Sequence, residues 1–146
     1  MQLSTDLCLR FSDFYLRKLF PLTGAPLYPF LQWILRSSRA TCSSLILALI
    51  YLQRWSSVSG NNHISCVQRA FLVSLLISFK YLLEPNFKNL AWEQLSGLSI
   101  SEINALENDF LVSMDYNLYV SVEEFASFRG WMAEVIQANS SRKDLV

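Results

Sequence analysis

The stretch Cys66 to Glu84, CVQRAFLVSLLISFKYLLE, constrains the fold more than any other, because apolar residues occupy nearly every side of it and one charge, Lys80, interrupts its second half. A helix that is hydrophobic all round has to be wrapped by other helices. At about 1.5 Å per residue it runs about 28 Å, the diameter of a small domain, so it can be the axle of a single globule. Ser65 with Gln68 makes a capping-box start, and Pro85 cannot continue the helix. An ammonium on a surrounded helix costs several kcal/mol unless paired. Lys80 therefore either snorkels to an edge or is met there by another group.

A chain of 146 residues predicts one domain that buries roughly two-thirds of its extended surface. Hydrophobic residues make up 52% and charged residues only 16%. Too little charge remains to solvate a whole surface, so part of that surface is expected to meet another protein. Twelve basic and twelve acidic residues, with no run of one sign, disfavour nucleic acid as a partner. Cys8, Cys42 and Cys66 fall singly on predicted helices, without CxxC or a histidine at ligand spacing, and are expected to be reduced, buried, intracellular thiols. The apolar runs Leu45 to Leu52 and Leu75 to Ile77 break off well before the roughly 18 residues that a bilayer requires. Neither a membrane span nor a secretory signal is expected, and the cytoplasm and/or nucleus is the expected location.

Thr5 to Phe20 carries Leu7, Phe11, Phe14, Tyr15 and Leu19 at helical spacing, behind Ser4 or Thr5 as N-cap and closed by Pro21. Leu22 to Leu27 is a connector. Pro29 to Ser37 reads as a short helix turning Phe30, Ile34 and Trp33 inward. Thr41 caps a second long helix, Cys42 to about Trp55, and Ser56 to His63 reads as a polar loop. Beyond the axle, Asn89 to Leu95 is a short helix, with Gly97 suited to the left-handed position after it. Ser99 with Glu102 opens Ile100 to Met114, and Ser121 with Glu124 opens a helix through about Ala138 that buries Phe125, Phe128, Met132 and Val135 or Ile136. Tyr116 to Val120 is an extended joint. No β alternation appears, so the expected fold is all-α. The organisation expected is residues 1–24 as N-terminal helix and connector, 25–138 as the main domain and 139–146 as a polar tail. Trp33, Trp55, Trp92 and Trp131 are assigned to the core, with Trp131 the most able to anchor at a surface.

A second charge is out of place. On the helix Ile100 to Met114, the residues Ile103, Leu106, Phe110, Leu111 and Met114 form one apolar stripe, and Glu107 sits inside it. Two explanations stand at this point: an intramolecular ion pair with Lys80 or long side chains leaning out to water, against two charges bordering a face meant for a partner.

The run from Arg69 through Val120, and less strongly from Phe30, resembles a cyclin box, most like the fungal phosphate-pathway and PCL-type cyclins and the P/U-type cyclins. The resemblance is carried by Ala48-Leu49-Ile50-Tyr51-Leu52 before Arg54, by Arg69 and Phe71, and by Ser74 through Lys80. It continues through Asn89 to Trp92, Ser96-Gly97-Leu98-Ser99, Glu102-Ile103-Asn104, Leu106 to Leu111 and Tyr116 to Ser121. It implies a five-helix cyclin box, present once, with flanking N- and C-terminal helices. It also implies a non-catalytic regulatory subunit that binds a cyclin-dependent protein kinase, of the PHO/PCL type, and holds the kinase's C helix in its active position. In that family a lysine ending the third box helix and a glutamate within the fifth bind the kinase; by position these are Lys80 and Glu107. Tyr81, Leu111, Tyr116 and Leu118 match further kinase-facing positions. No catalytic residue, cofactor, metal or small-molecule substrate is implied, and His63 reads as a solvated loop residue. Phe79 stands where the family usually has a small residue, Cys42 where a proline often starts the second box helix, and Gln53 where an aspartate is common. The competing reading is a cyclin-fold scaffold or transcription-associated protein that activates no kinase.

Overall fold

The computed structural model describes residues 5–21, 27–59, 67–82 and 89–142. The expectations for Gly24, Pro26, the Gly60-Asn61-Asn62 turn, His63, Ser65, Cys66 and Pro85 lie outside them. Among the described residues the elements are seven helices: α1 Thr5–Leu19, α2 Tyr28–Ser38, α3 Cys42–Ser59, α4 Val67–Tyr81, α5 Asn89–Ser96, α6 Ile100–Ser113 and α7 Val122–Arg142.

The axle is α4. Every residue from Ala70 to Phe79 is buried, as a helix apolar on all sides requires. Its two buried serines cause no polar debt, because the Ser74 hydroxyl donates to the Phe71 carbonyl at 2.8 Å and Ser78 to Leu75 at 2.7 Å. Its most extensive neighbour is α3, whose run Leu45 to Leu52 is equally enclosed, and α6 covers another side. Trp55 of α3 stacks on Phe110 of α6, with ring centroids 5.6 Å apart.

The local signals explain where the helices start. Thr41 accepts the Ser44 N–H at 3.1 Å ahead of α3. Ser99 and Glu102 make the reciprocal capping box of α6. Ser121 makes only half of one, accepting from the Glu124 N–H, because the Glu124 carboxylate is drawn away to Arg54. Gly97, at φ 76°, ends α5 in the left-handed conformation.

Four details depart from the sequence reading. First, α3 continues to Ser59, one turn into the expected loop, with the Ser56 and Ser57 hydroxyls bonding back to the Gln53 carbonyl. Second, α7 passes Ala138 and reaches Arg142, so part of the expected tail is helical, and Asn139 donates to the Val135 carbonyl. Third, Trp33 is not a core residue: it is 57% exposed, and its indole N–H donates to the Leu95 carbonyl. Indole has an apolar body and one donor, and here the donor bridges α2 to α5 while the ring stays wet. Fourth, Phe125 and Phe128 are only half-buried, leaving Met132 and Ile136 as the fully buried contacts of α7.

The first helix is part of the core. Leu9, Phe11 and Leu16 have no exposed surface, and Phe11 and Tyr15 meet Phe128 and Trp131 of α7 edge to face at 5.5–6.2 Å.

Candidate functional site

The two misplaced charges meet. Lys80 lies one residue before the end of α4, and its ammonium lies 3.0 and 2.9 Å from the two carboxylate oxygens of Glu107 on α6. The Glu107 side chain is 15% exposed and that of Lys80 is 48% exposed. The first explanation left open by the sequence therefore holds, since the charges pair within the chain, and the pair lies at the surface. An ammonium has three donors and each carboxylate oxygen more than one acceptor site, so pairing does not exhaust either group.

Apolar side chains follow both members of the pair along their helices. Tyr81 and Leu82 are exposed at the end of α4. Leu111, one turn along α6 from Glu107, is half-buried. Its carbonyl accepts the Tyr116 N–H at 2.9 Å, and Tyr116 is 59% exposed. Leu118 is half-buried just beyond. Five of the six residues singled out from the sequence thus lie along a continuous chain of contacts: Lys80 to Glu107, Glu107 along α6 to Leu111, Leu111 to Tyr116 and Tyr116 to Leu118; the sixth, Tyr81, follows Lys80 on α4.

What holds the joint after α6 was not evident from sequence. Asp115 and Tyr116 both adopt φ near 55°, a left-handed pair that non-glycine residues rarely sustain unless their surroundings impose it. Two side chains of α3 hold the backbone just beyond it. The Tyr51 hydroxyl donates to the Leu118 carbonyl at 3.0 Å, and Arg54 donates to the Asn117 carbonyl and to Glu124, each at 2.7 Å. The Tyr51 ring also packs edge-on against Tyr81, with centroids 6.3 Å apart, tying the end of α4 to the same joint. Burial, and secondarily Tyr81, raises the Tyr51 phenol well above its ordinary range, which keeps it a donor. Tyr51 and Arg54 are i,i+3 neighbours with polar ends in an otherwise apolar helix, and that spacing is the signal that could have revealed them.

Phe79 fills rather than clears the space beside Lys80. It is buried and meets Trp92 of α5 edge-on at 5.4 Å. Among the described residues, no group of three or more His, Cys, Asp or Glu side chains is placed to hold a metal ion, and no helix is long and apolar enough to cross a membrane.

The family model described as Cyclin matches residues 26–118, which contain α2 through α6. The chain belongs to the cyclin family. Its five-helix box is a single cyclin box, with α1 and α7 as flanking helices. This cyclin is 34% identical over 120 residues to the G1/S-specific cyclin pas1 of Schizosaccharomyces pombe, covering 79% of this chain and 29% of that protein. It is 31% identical over 101 residues to Cyclin-U2-1 of Arabidopsis thaliana, covering 68% and 46%. It is 27% identical over 103 residues to PHO85 cyclin-5 of Saccharomyces cerevisiae, covering 66% and 45%. The chain spans less than half the length of each of these curated relatives. No solved structure matches it.

Proposed function

We propose that this cyclin is the non-catalytic regulatory subunit of a cyclin-dependent protein kinase, and that it docks through the face carrying Lys80, Tyr81, Glu107, Leu111, Tyr116 and Leu118. The observation that carries the proposal is the Lys80–Glu107 pair: two opposite charges at the surface of otherwise apolar helices, each with hydrogen-bonding capacity left over. Interfaces of this kind have the character of a divided core with a few placed charges. Similarity to PHO85 cyclin-5 supports a partner kinase of the PHO/PCL type.

The kinase's C helix would lie against the pair and the exposed aromatic side chains beside it. Held inward, that helix brings its glutamate to the lysine of the ATP site and allows the activation segment to order. The cyclin acts by differential affinity, binding the active arrangement better and so raising its population.

A second reading is favoured by Phe79. Its bulk, packed on Trp92 where the family usually carries a small residue, alters how the end of α4 is seated, and a box altered there could bind a kinase without activating it. Peptide phosphorylation by the co-purifying kinase, measured with and without the purified chain, separates the two. A large gain in rate supports activation; stable binding with no gain supports the second reading; no binding rejects both.

A further inference from the structure

Cys8 and Cys42 are remote in sequence and adjacent in space. Both line one pocket, Cys8 from the inward face of α1 and Cys42 from the first position of α3. Both are free thiols, Cys8 buried and Cys42 half-buried. They share a cavity of about 80 Å³ with Thr5, Leu35, Ala40, Thr41 and Leu45, and its rim residues Thr5 and Thr41 are exposed.

We propose that Cys8 and Cys42 form a hydroperoxide-reactive dithiol that closes into a disulfide joining α1 to α3. The two cysteines have unequal environments, which assigns the roles. Cys42 stands at a helix N-terminus, where unsatisfied N–H groups and the helix dipole favour a thiolate. The hydrogen bond from Cys8 lowers its pKa to about 7, with the positive charge of Arg129 helping and burial opposing. Cys8 is moved the other way, upward, by its hydrogen bond to Cys42 and by burial, so it is held as the thiol. Cys42 is the attacking group and Cys8 the resolving one.

In the first step the Cys42 thiolate attacks one peroxide oxygen. An S–O bond forms, the O–O bond breaks, and the departing oxygen takes a proton and leaves as alcohol, or as water from hydrogen peroxide. In the second step the Cys8 sulfur attacks the resulting sulfenic acid. The S–S bond forms, and the hydroxyl leaves as water with the proton lost by Cys8. The two thiols together lose two electrons and two protons, and the hydroperoxide takes up both. The product fastens the N-terminal helix, which precedes the matched region, to the second helix of the box.

The test treats the reduced, purified full chain with one equivalent of hydrogen peroxide, blocks remaining thiols, and maps peptides by mass spectrometry without reduction. The expected result is a mass lower by about 2 Da and a peptide pair joining Cys8 to Cys42 that separates on reduction. In the Cys8→Ala chain, dimedone should trap the Cys42 sulfenic acid. Recovery of both cysteines as blockable thiols in the wild-type chain, or a disulfide that joins Cys42 to Cys66 instead, overturns the proposal. The wild-type map requires no substitution, so the result stands even if removal of the buried Cys8 impairs folding.

Discussion

The Lys80 ammonium holds both carboxylate oxygens of Glu107 from a different helix, and the two partners are unequally exposed: the lysine is half in water and the glutamate mostly out of it. Removing one partner is therefore not equivalent to removing the other. Lys80→Ala strands a largely buried carboxylate and should cost the isolated chain about 1–2 kcal/mol, whereas Glu107→Ala leaves a half-exposed ammonium and should cost less than about 1 kcal/mol. Urea denaturation of the two variants checks the order. Against the kinase, either substitution should weaken binding by roughly 2–5 kcal/mol, because the partner charge is left unpaired in a desolvated interface. Wild-type affinity in the folded double variant would reject the docking face.

The joint carrying Tyr116 and Leu118 depends on α3. Arg54→Ala removes two charge-assisted hydrogen bonds of 2.7 Å, one of them to the Asn117 carbonyl, and should destabilise by about 1.5–3 kcal/mol. Tyr51→Phe removes one neutral bond and should cost about 1 kcal/mol. Both should reduce kinase affinity without touching Lys80 or Glu107. Arg10→Ala, which breaks an exposed pair with Asp6 on α1, is the control and should leave affinity unchanged. Equal affinity of Arg54→Ala and Arg10→Ala would show that the joint has no part in docking.

Features set by residues close in sequence were legible from sequence. The apolar circumference of α4, the Ser99–Glu102 box and the left-handed Gly97 all follow from neighbours a few positions apart. The Lys80 and Glu107 anomaly was legible for the same reason, since each was odd against its own helix. Contacts between distant elements were not. Periodicity cannot show that Cys8 and Cys42 line one pocket, nor that the Trp33 indole is turned outward to reach the Leu95 carbonyl. The left-handed Asp115 and Tyr116 gave no signal at all, because no glycine marks them and the side chains that hold the backbone just beyond them, Tyr51 and Arg54, come from another helix.

The start of α6 offers a stability test separate from docking. Ser99→Ala should cost about 1 kcal/mol, since it leaves the Glu102 N–H without its cap. Gly97→Ala should cost a similar amount for a different reason. Nothing lies within 4 Å of the added methyl group, so the penalty is that of holding an L-residue at φ 76°. Denaturation midpoints measure both. A neutral Gly97→Ala would mean that the backbone relaxes out of the left-handed region.

The family match begins at residue 26, yet the first helix contributes Leu9, Phe11 and Leu16 to the core, each with no exposed surface. Phe11 lies among Phe14, Tyr15, Phe128 and Trp131, with centroids 5.5–6.2 Å away, so it connects α1 to α7. Phe11→Ala should therefore cost about 3–5 kcal/mol, the loss typical of a large ring removed from a packed core. Thermal unfolding followed by circular dichroism and by tryptophan fluorescence should give one coincident transition in the wild-type chain, because α1, α7 and the box share one core. Removing residues 1–20 should expose the apolar surfaces of α3 and α7 that α1 covers, lowering the midpoint and promoting aggregation. A truncated chain that melts at the wild-type midpoint would make α1 an appendage to the cyclin box instead of part of its core.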